Sequence, residues 1–383
     1  MHALLDEYEG KVRLIYIDPP FDVGTKFSYQ VIVGDNGERA ATAENYIDRW
    51  GNGKESYAQF MFERLTLAKR FLSQDGSIYV HCDFRSSALL RFICDEIFGK
   101  ENLRNEIIWS YNSGPRSLND FGRRHDTILR YSISDEYYFN PDEVREPYSP
   151  DINVPQSKAH YYHPDGKVPG DVWQMNIISQ NDKKERAGYA TQKPEALLER
   201  IILASSEPGD IVADFFCGSG TSVVVARRLG RRWLGTDTGR QAINVSRRRL
   251  SLEPGSAFKV CTLNHKLEDT DGHGKISTEI ILEPKSSDSI TVRLTGYEPS
   301  EAVKAQSDSD RSPFDYIDSW AVDYINTLGE PFKCCWSCAR TRLSPVLPLQ
   351  CNISCPVDDI AKNGICVRVI DVFGFECRTQ AAL

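Results

Sequence analysis

Two apolar runs, each stopped by a turn of unusual composition, constrain this chain more than any other feature. The run 12–17 ends in Asp18-Pro19-Pro20-Phe21, and the run 211–216 ends in Cys217-Gly218-Ser219-Gly220-Thr221. Short apolar runs rich in β-branched residues and bounded by turn signals read as buried strands. Paired prolines carry no N–H and cannot continue a ladder, so the first strand must stop at Asp18. Gly218 and Gly220 tolerate positive φ and let the backbone come close to a ligand before a helix begins. Both turns therefore belong at the carboxyl ends of strands, where open α/β sheets bind their ligands.

The periodicity between these runs predicts helices over 57–72, 87–98 (with Gly99 as C-cap), 193–205 (with Pro194 in its first turn), 222–229 and 240–250. It predicts strands over 76–82, 105–110, 126–139 (interrupted by Ser134-Asp135-Glu136), 211–216 and 232–236, with Ser73 to Gly76 as a turn. Strands alternating with helices imply an α/β fold with a parallel, doubly wound sheet. Between 140 and 188 the pattern fades, and so long a weakly patterned stretch inside a domain usually serves function. Beyond Pro254-Gly255 the alternation becomes that of strands, at 277–282, 289–294 and 365–373. The expected organisation is a first domain over 1–254 and a smaller, mainly-β C-terminal module over 255–383.

Composition narrows the setting. Apolar residues make up 40% and charged residues 26% of 383, ordinary values for a soluble globular chain. Met1 to Gly10 has neither a basic start nor an apolar core, and eleven cysteines is an odd count. Reduced thiols and a cytoplasmic location are expected, with no membrane association. The net charge of −8 counts against nucleic acid as a partner. Its distribution counts the other way: residues 221–250 hold eight arginines and one acid, Asp237.

The chemistry follows from the two turns. Asp18 and the carbonyls freed by Pro19 and Pro20 can accept hydrogen bonds from an exocyclic NH2, and Phe21 supplies a stacking face. An enzyme acting on a base in a duplex must extrude it and hold it by such contacts. In the second turn, Asp214, Phe216, Gly218 and Gly220 suit a nucleoside-like cofactor, and Asp237 ends the next strand where an acid can accept from ribose hydroxyls. Val223 stands where the dinucleotide fingerprint needs a third glycine, and no Gly-Lys-Ser/Thr phosphate loop occurs. A cofactor with a ribose and no phosphates fits better than NAD or ATP.

With these motifs in this order, residues 11–250 resemble the permuted β class of amino-group DNA methyltransferases, the site-specific adenine and cytosine N-methylases that use S-adenosyl-L-methionine. Asp75-Gly76-Ser77-Ile78-Tyr79-Val80-His81 and Thr191-Gln192-Lys193-Pro194-Glu195 resemble further stretches of that family. The resemblance implies a doubly wound methyltransferase sheet, a target-recognition segment in about 112–188, and DNA as substrate, with a restriction endonuclease subunit as a further candidate partner. Asp18, Pro19, Pro20 and Phe21 would form the catalytic motif. Asp214, Phe216, Gly218, Gly220, Asp237 and Lys193 would serve the cofactor. Family members that act on adenine mostly carry Asp at the first motif position, which favours adenine.

The family usually opens with a strand carrying Gly-Asp-x-Leu about twenty residues before the catalytic motif, whereas this chain opens in what resembles the following helix. That leaves open an N-terminally truncated homologue that binds DNA and methylates poorly. A protein-glutamine methylase is disfavoured, because that group usually has Asn at the first motif position and lacks the long intervening segment. Cys335, Cys338, Cys351 and Cys355 have a spacing compatible with zinc, but the resemblance supplies no cysteine pattern there, and free thiols with no metal are expected.

Overall fold

Strand β1 (Val12–Ile17) is buried on both sides, and its two sets of alternate side chains feed two different cores. This computed structural model describes residues 1–21, 26–35, 38–47, 54–112, 118–148, 160, 162–179, 181–253, 258–261, 274–282, 289–304, 311–326, 332–341, 343–354 and 364–381. The further strands are β2 (Lys26–Val33), β3 (Glu38–Ile47), β4 (Leu72–Cys82), β5 (Leu103–Ser110), β6 (His125–Ser132), β7 (Val172–Gln174), β8 (Ile211–Asp214) and β9 (Arg232–Gly235). Helices α1 (His2–Tyr8), α2 (Lys54–Phe71), α3 (Ser87–Phe98), α4 (Glu195–Ser205), α5 (Thr221–Arg228) and α6 (Arg240–Ser251) lie among them.

The chain divides into two compact units. The first comprises Met1–Phe27, Tyr46–Glu185 and Thr191–Thr238. Its seven-stranded sheet has the order β7-β5-β6-β4-β1-β8-β9. Leu14 and Tyr16 face a core shared with Leu197, Leu198 and Ile201 of α4 and Val225 of α5. Ile15 and Ile17 face the opposite core, with Met61 and Leu65 of α2 and Leu90 of α3. Helices on both faces make this a doubly wound sheet, which is why β1 reads as a nearly continuous apolar run.

The sheet departs from the all-parallel expectation at one strand. β6 is antiparallel to both β4 and β5, whereas β1, β4, β8 and β9 run parallel. A connection without a described helix, residues 111–124, joins β5 to β6, and such a hairpin returns the chain antiparallel. The strand expected over 126–139 with an interruption at 134–136 ends at Ser132, just before that interruption, where the Arg104 guanidinium binds Ser132 Oγ, the Ser134 carbonyl and Asp135. The turn expected at 73–76 is a displacement inside β4: Val12 pairs with Leu72, then Leu14 with Ser77. A Cβ at Gly76 would lie 3.0 Å from the carbonyl oxygens of Ser73 and Val12, so this crossing is built for glycine. Pro194 is the N-cap of α4 and lies just outside its first turn.

The second unit comprises Ser28–Asn45, Arg186–Ala190 and Gly239–Leu383. Beyond α6 it holds β10 (Lys275–Leu282), β11 (Ser289–Glu298), a short helix α7 (Glu301–Lys304), β12 (Ile317–Asp323), β13 (Trp336–Ala339), β14 (Gln350–Ser354), β15 (Ile365–Asp371) and β16 (Glu376–Ala381). They form antiparallel sheets of order β10-β11-β14 and β13-β12-β15-β16. Ala242 and Val245 of α6 belong to this unit's core, together with Trp320, Val367 and Val369. Part of the arginine-rich stretch is thereby used locally, since Arg247 pairs with Glu376 and Arg248 with Asp318.

Cys338 lies on β13 and Cys351 on β14, and burial pushes both thiols up to about 12. Cys355 lies outside the described residues, and among these no cluster of His, Cys, Asp or Glu could hold a metal. No described helix is long and apolar enough to cross a membrane.

Candidate active site

The two sequence motifs meet at one edge of the first unit's sheet. β1 and β8 are hydrogen-bonded neighbours, so their carboxyl ends bring Asp18-Pro19-Pro20-Phe21 beside the turn that follows Asp214. Asp18 receives the ammonium of Lys193 on Oδ2, and this side-chain pair is 16% and 13% exposed respectively. Its other oxygen, Oδ1, is buried and has no hydrogen-bond partner among the described residues. A buried acceptor left open costs free energy unless a ligand supplies a donor. The Lys193 nitrogen also lies 5.5 Å from the centroid of the Phe21 ring, a cation–π distance. On its other contacts Phe21 rests against His81, a residue to which the sequence motifs assign no role.

The glycine turn is held by its own acids. Gly218 and Gly220 have φ of 48° and 73°, a region in which a side chain is strained. Gly220 is the N-cap of α5, and its N–H donates to the Cys217 carbonyl at 2.7 Å. Asp214 Oδ1 accepts from the Phe216 N–H at 3.0 Å, while Oδ2 accepts from the Ser222 hydroxyl. Asp237, two residues beyond β9, accepts from the Gly218 N–H at 2.9 Å through Oδ2. The Phe216 ring meets Phe60 edge-on at 6.2 Å.

The residues named from the sequence as the candidate motif and cofactor turn thus fall at this edge, with different contacts visible. Asp18 and Phe21 present an open acceptor and a ring. Asp214 is turned inward and shapes the loop, and Asp237 steadies its backbone. Lys193, expected among the cofactor residues, places its ammonium on Asp18 while its carbonyl accepts from the Thr221 hydroxyl at 3.3 Å. It therefore bridges the Asp18-Pro19-Pro20-Phe21 turn and the first residue of α5.

Burial lifts the Asp214 carboxyl to about 7, the charges of Asp18 and Asp237 adding to it against the bonds from Ser222 and Phe216. The folded state therefore holds a proton that the unfolded chain releases near pH 4. This one group lowers stability as pH rises from about 4 to about 7, by about 1.4 kcal/mol per unit. Asp214→Asn keeps an acceptor for the Phe216 N–H and carries no charge. Its melting temperature relative to the wild type is expected to climb between pH 4 and 7 and level off above, as scanning calorimetry across that range would reveal.

Residues 12–248 match the DNA methylase family of N6 and N4 methyltransferases. The type II methyltransferase M1.MboII of Moraxella bovis is 31% identical over 256 residues, covering 63% of this chain and 90% of that protein. The DNA adenine methyltransferase YhdJ of Escherichia coli (strain K12) is 31% identical over 252 residues, covering 63% of this chain and 76% of that protein. Among solved structures, the cytosine-N4-specific PvuII DNA methyltransferase is 17% identical, with a TM-score of 0.46 over 66% of this chain and 84% of that one. A match that spans both motifs and the sheet edge between them places the chain in the DNA methylase family.

Proposed function

We propose that the first unit transfers a methyl group from S-adenosyl-L-methionine to the exocyclic amino group of adenine in DNA, as the modification activity of a restriction-modification system. The observation that carries this reading is the open Oδ1 of Asp18 beside the Phe21 ring: an acceptor and a stacking face, the two contacts by which a flipped amino-bearing base is held. Asp237 puts a carboxylate against the backbone of the glycine turn, a setting that suits a ribose hydroxyl better than a phosphate.

When bound, S-adenosyl-L-methionine supplies an electrophilic methyl group on a sulfonium. Asp18 Oδ1 would accept from the amino N–H and turn the nitrogen lone pair toward that methyl. Phe21 would fix the plane of the base, and Lys193 would hold the far oxygen of Asp18. As the nitrogen–carbon bond forms and the sulfur–carbon bond breaks, the surplus amino proton would leave through Asp18. Orientation and fixed charge supply most of the acceleration in such a site. Adenine is favoured by Asp at the first motif position and by the relative named for adenine. Nucleoside mass spectrometry of DNA methylated by the chain tests this: N6-methyladenine is expected, and N4-methylcytosine would overturn the choice of base.

The same sheet edge offers a surface suited to DNA. Just before β6, Leu118 and Phe121 are 97% and 94% exposed, and the Arg123 guanidinium lies 4.3 Å from the ring centroid of Phe84. Arg124 adds positive charge, whereas Arg85, next to Phe84, is paired with Asp83. Arg123→Ala combined with Arg124→Ala is expected to weaken DNA binding and to lower the slope of log affinity against log salt by about 1 for each phosphate no longer neutralised. Fluorescence anisotropy over a salt series measures this, and cofactor affinity should not change.

A further inference from the structure

His81 lies wholly buried beneath the catalytic aromatic, at 0% exposure, and no step above uses it. Ile17 pairs with Val80, so His81 stands level with Asp18 on the adjacent strand. Its ring is inclined 27° to that of Phe21 at a centroid distance of 6.1 Å. Tyr16 and Trp109 both meet it edge-on, at 6.2 and 5.5 Å. Both ring nitrogens are engaged: Nδ1 lies 2.9 Å from the Tyr16 hydroxyl, and Nε2 lies 3.2 Å from Asp126 Oδ2. The Tyr111 hydroxyl donates to Asp126 Oδ1 at 3.4 Å.

The protonation pattern of this chain follows from its surroundings. Burial and the charges of Asp18, Asp214 and Asp126 keep Tyr16 a phenol, whose hydroxyl bonds to Nδ1. Burial raises Asp126, but the bond and charge of His81, with Lys193, outweigh it and hold the carboxyl below its ordinary value. Asp126 therefore accepts from Nε2–H, and with the Tyr16 hydroxyl on Nδ1 both ring nitrogens are held. Burying a His–Asp pair costs more than burying an apolar ring that would stack equally well. What the pair adds over a phenyl group is a fixed ring plane.

We propose that His81 is a positioning residue for methyl transfer: locked between Tyr16 and Asp126, its ring sets the plane of Phe21 and hence the angle at which the target amino nitrogen meets the methyl group. This rests on the methyl-transfer reading above, and it assigns His81 no contact with the reacting atoms. A purely structural histidine would support the fold without acting through Phe21, and a double-mutant cycle separates the two.

Single-turnover transfer of labelled methyl to mixed-sequence duplex DNA is measured for the wild type, His81→Gln, Phe21→Ala and the double variant, with cofactor affinity by calorimetry. His81→Gln is expected to lower the rate about 10- to 100-fold with cofactor affinity kept, and to cost less than about threefold once Phe21 is alanine. Equal losses in both backgrounds, or a loss of cofactor affinity, would overturn the proposal while the methyl-transfer reading stands. Should His81→Gln not fold, Tyr16→Phe removes a single bond from the same ring and enters the same cycle, with the same criterion. A wild-type chain that transfers no methyl group would remove the underlying reading, and this inference with it.

Discussion

Asp18→Ala is expected to lower methyl transfer about 10²- to 10³-fold, the cost of removing one preorganised polar partner from a reacting centre. Cofactor binding should survive, because the turn after β8 is held by Asp214, Ser222 and Asp237 without help from Asp18. Asp18→Asn is the sharper comparison. It keeps an acceptor oxygen but loses the charge that Lys193 neutralises, so it should fall between the wild type and the alanine variant. Steady-state kinetics at saturating cofactor, with isothermal calorimetry for cofactor affinity, separate the two effects.

The second large effect is expected at Lys193. Were this residue a cofactor ligand, its loss would raise the dissociation constant for S-adenosyl-L-methionine. The geometry predicts otherwise, since the ammonium is spent on Asp18 and only the backbone carbonyl reaches the cofactor turn. Lys193→Met keeps the side-chain length and that carbonyl. It is expected to leave cofactor affinity within about twofold while lowering the transfer rate about 10- to 100-fold, as misplacement of a catalytic group does. A dissociation constant raised tenfold with the rate intact would return Lys193 to the cofactor.

How much of the fold is legible in the chain depends on how local each feature is. The Val12–Ile17 strand and its stop are readable because a run of mostly apolar residues followed by paired prolines admits few other conformations. The glycine turn is readable for the same reason, and the order of the two motifs points to the family. The polarity of β6 is not, because an antiparallel strand and a parallel one share the same apolar pattern when both faces are covered. The β2–β3 hairpin also escapes sequence reasoning. Half of Glu38–Ile47 is polar, with no clean alternation, and Val33 is buried in a core whose other members are distant in sequence.

The site shows the same division. The types and edge positions of Asp18 and Phe21 can be read from the chain, but the partners that define their roles cannot. Lys193 is 175 residues from Asp18 in sequence. Asp214 is expected to face the cofactor, yet both its oxygens are taken within the turn, through bonds to Phe216 and Ser222 that no spacing rule specifies. His81 sits in plain view on a strand, on the same face as Tyr79, but its meaning depends on Tyr16 and Asp126 from two other strands.

The most direct test is transfer of a labelled methyl group from S-adenosyl-L-methionine to duplex DNA by the wild-type chain, with Asp18→Ala as the control. The arrangement of Asp18, Phe21 and the glycine turn predicts label in the DNA with the wild type and almost none with the variant. Equal label from both proteins would contradict the role of Asp18. A folded wild-type chain that binds the cofactor and leaves the DNA unlabelled would contradict the proposed activity itself.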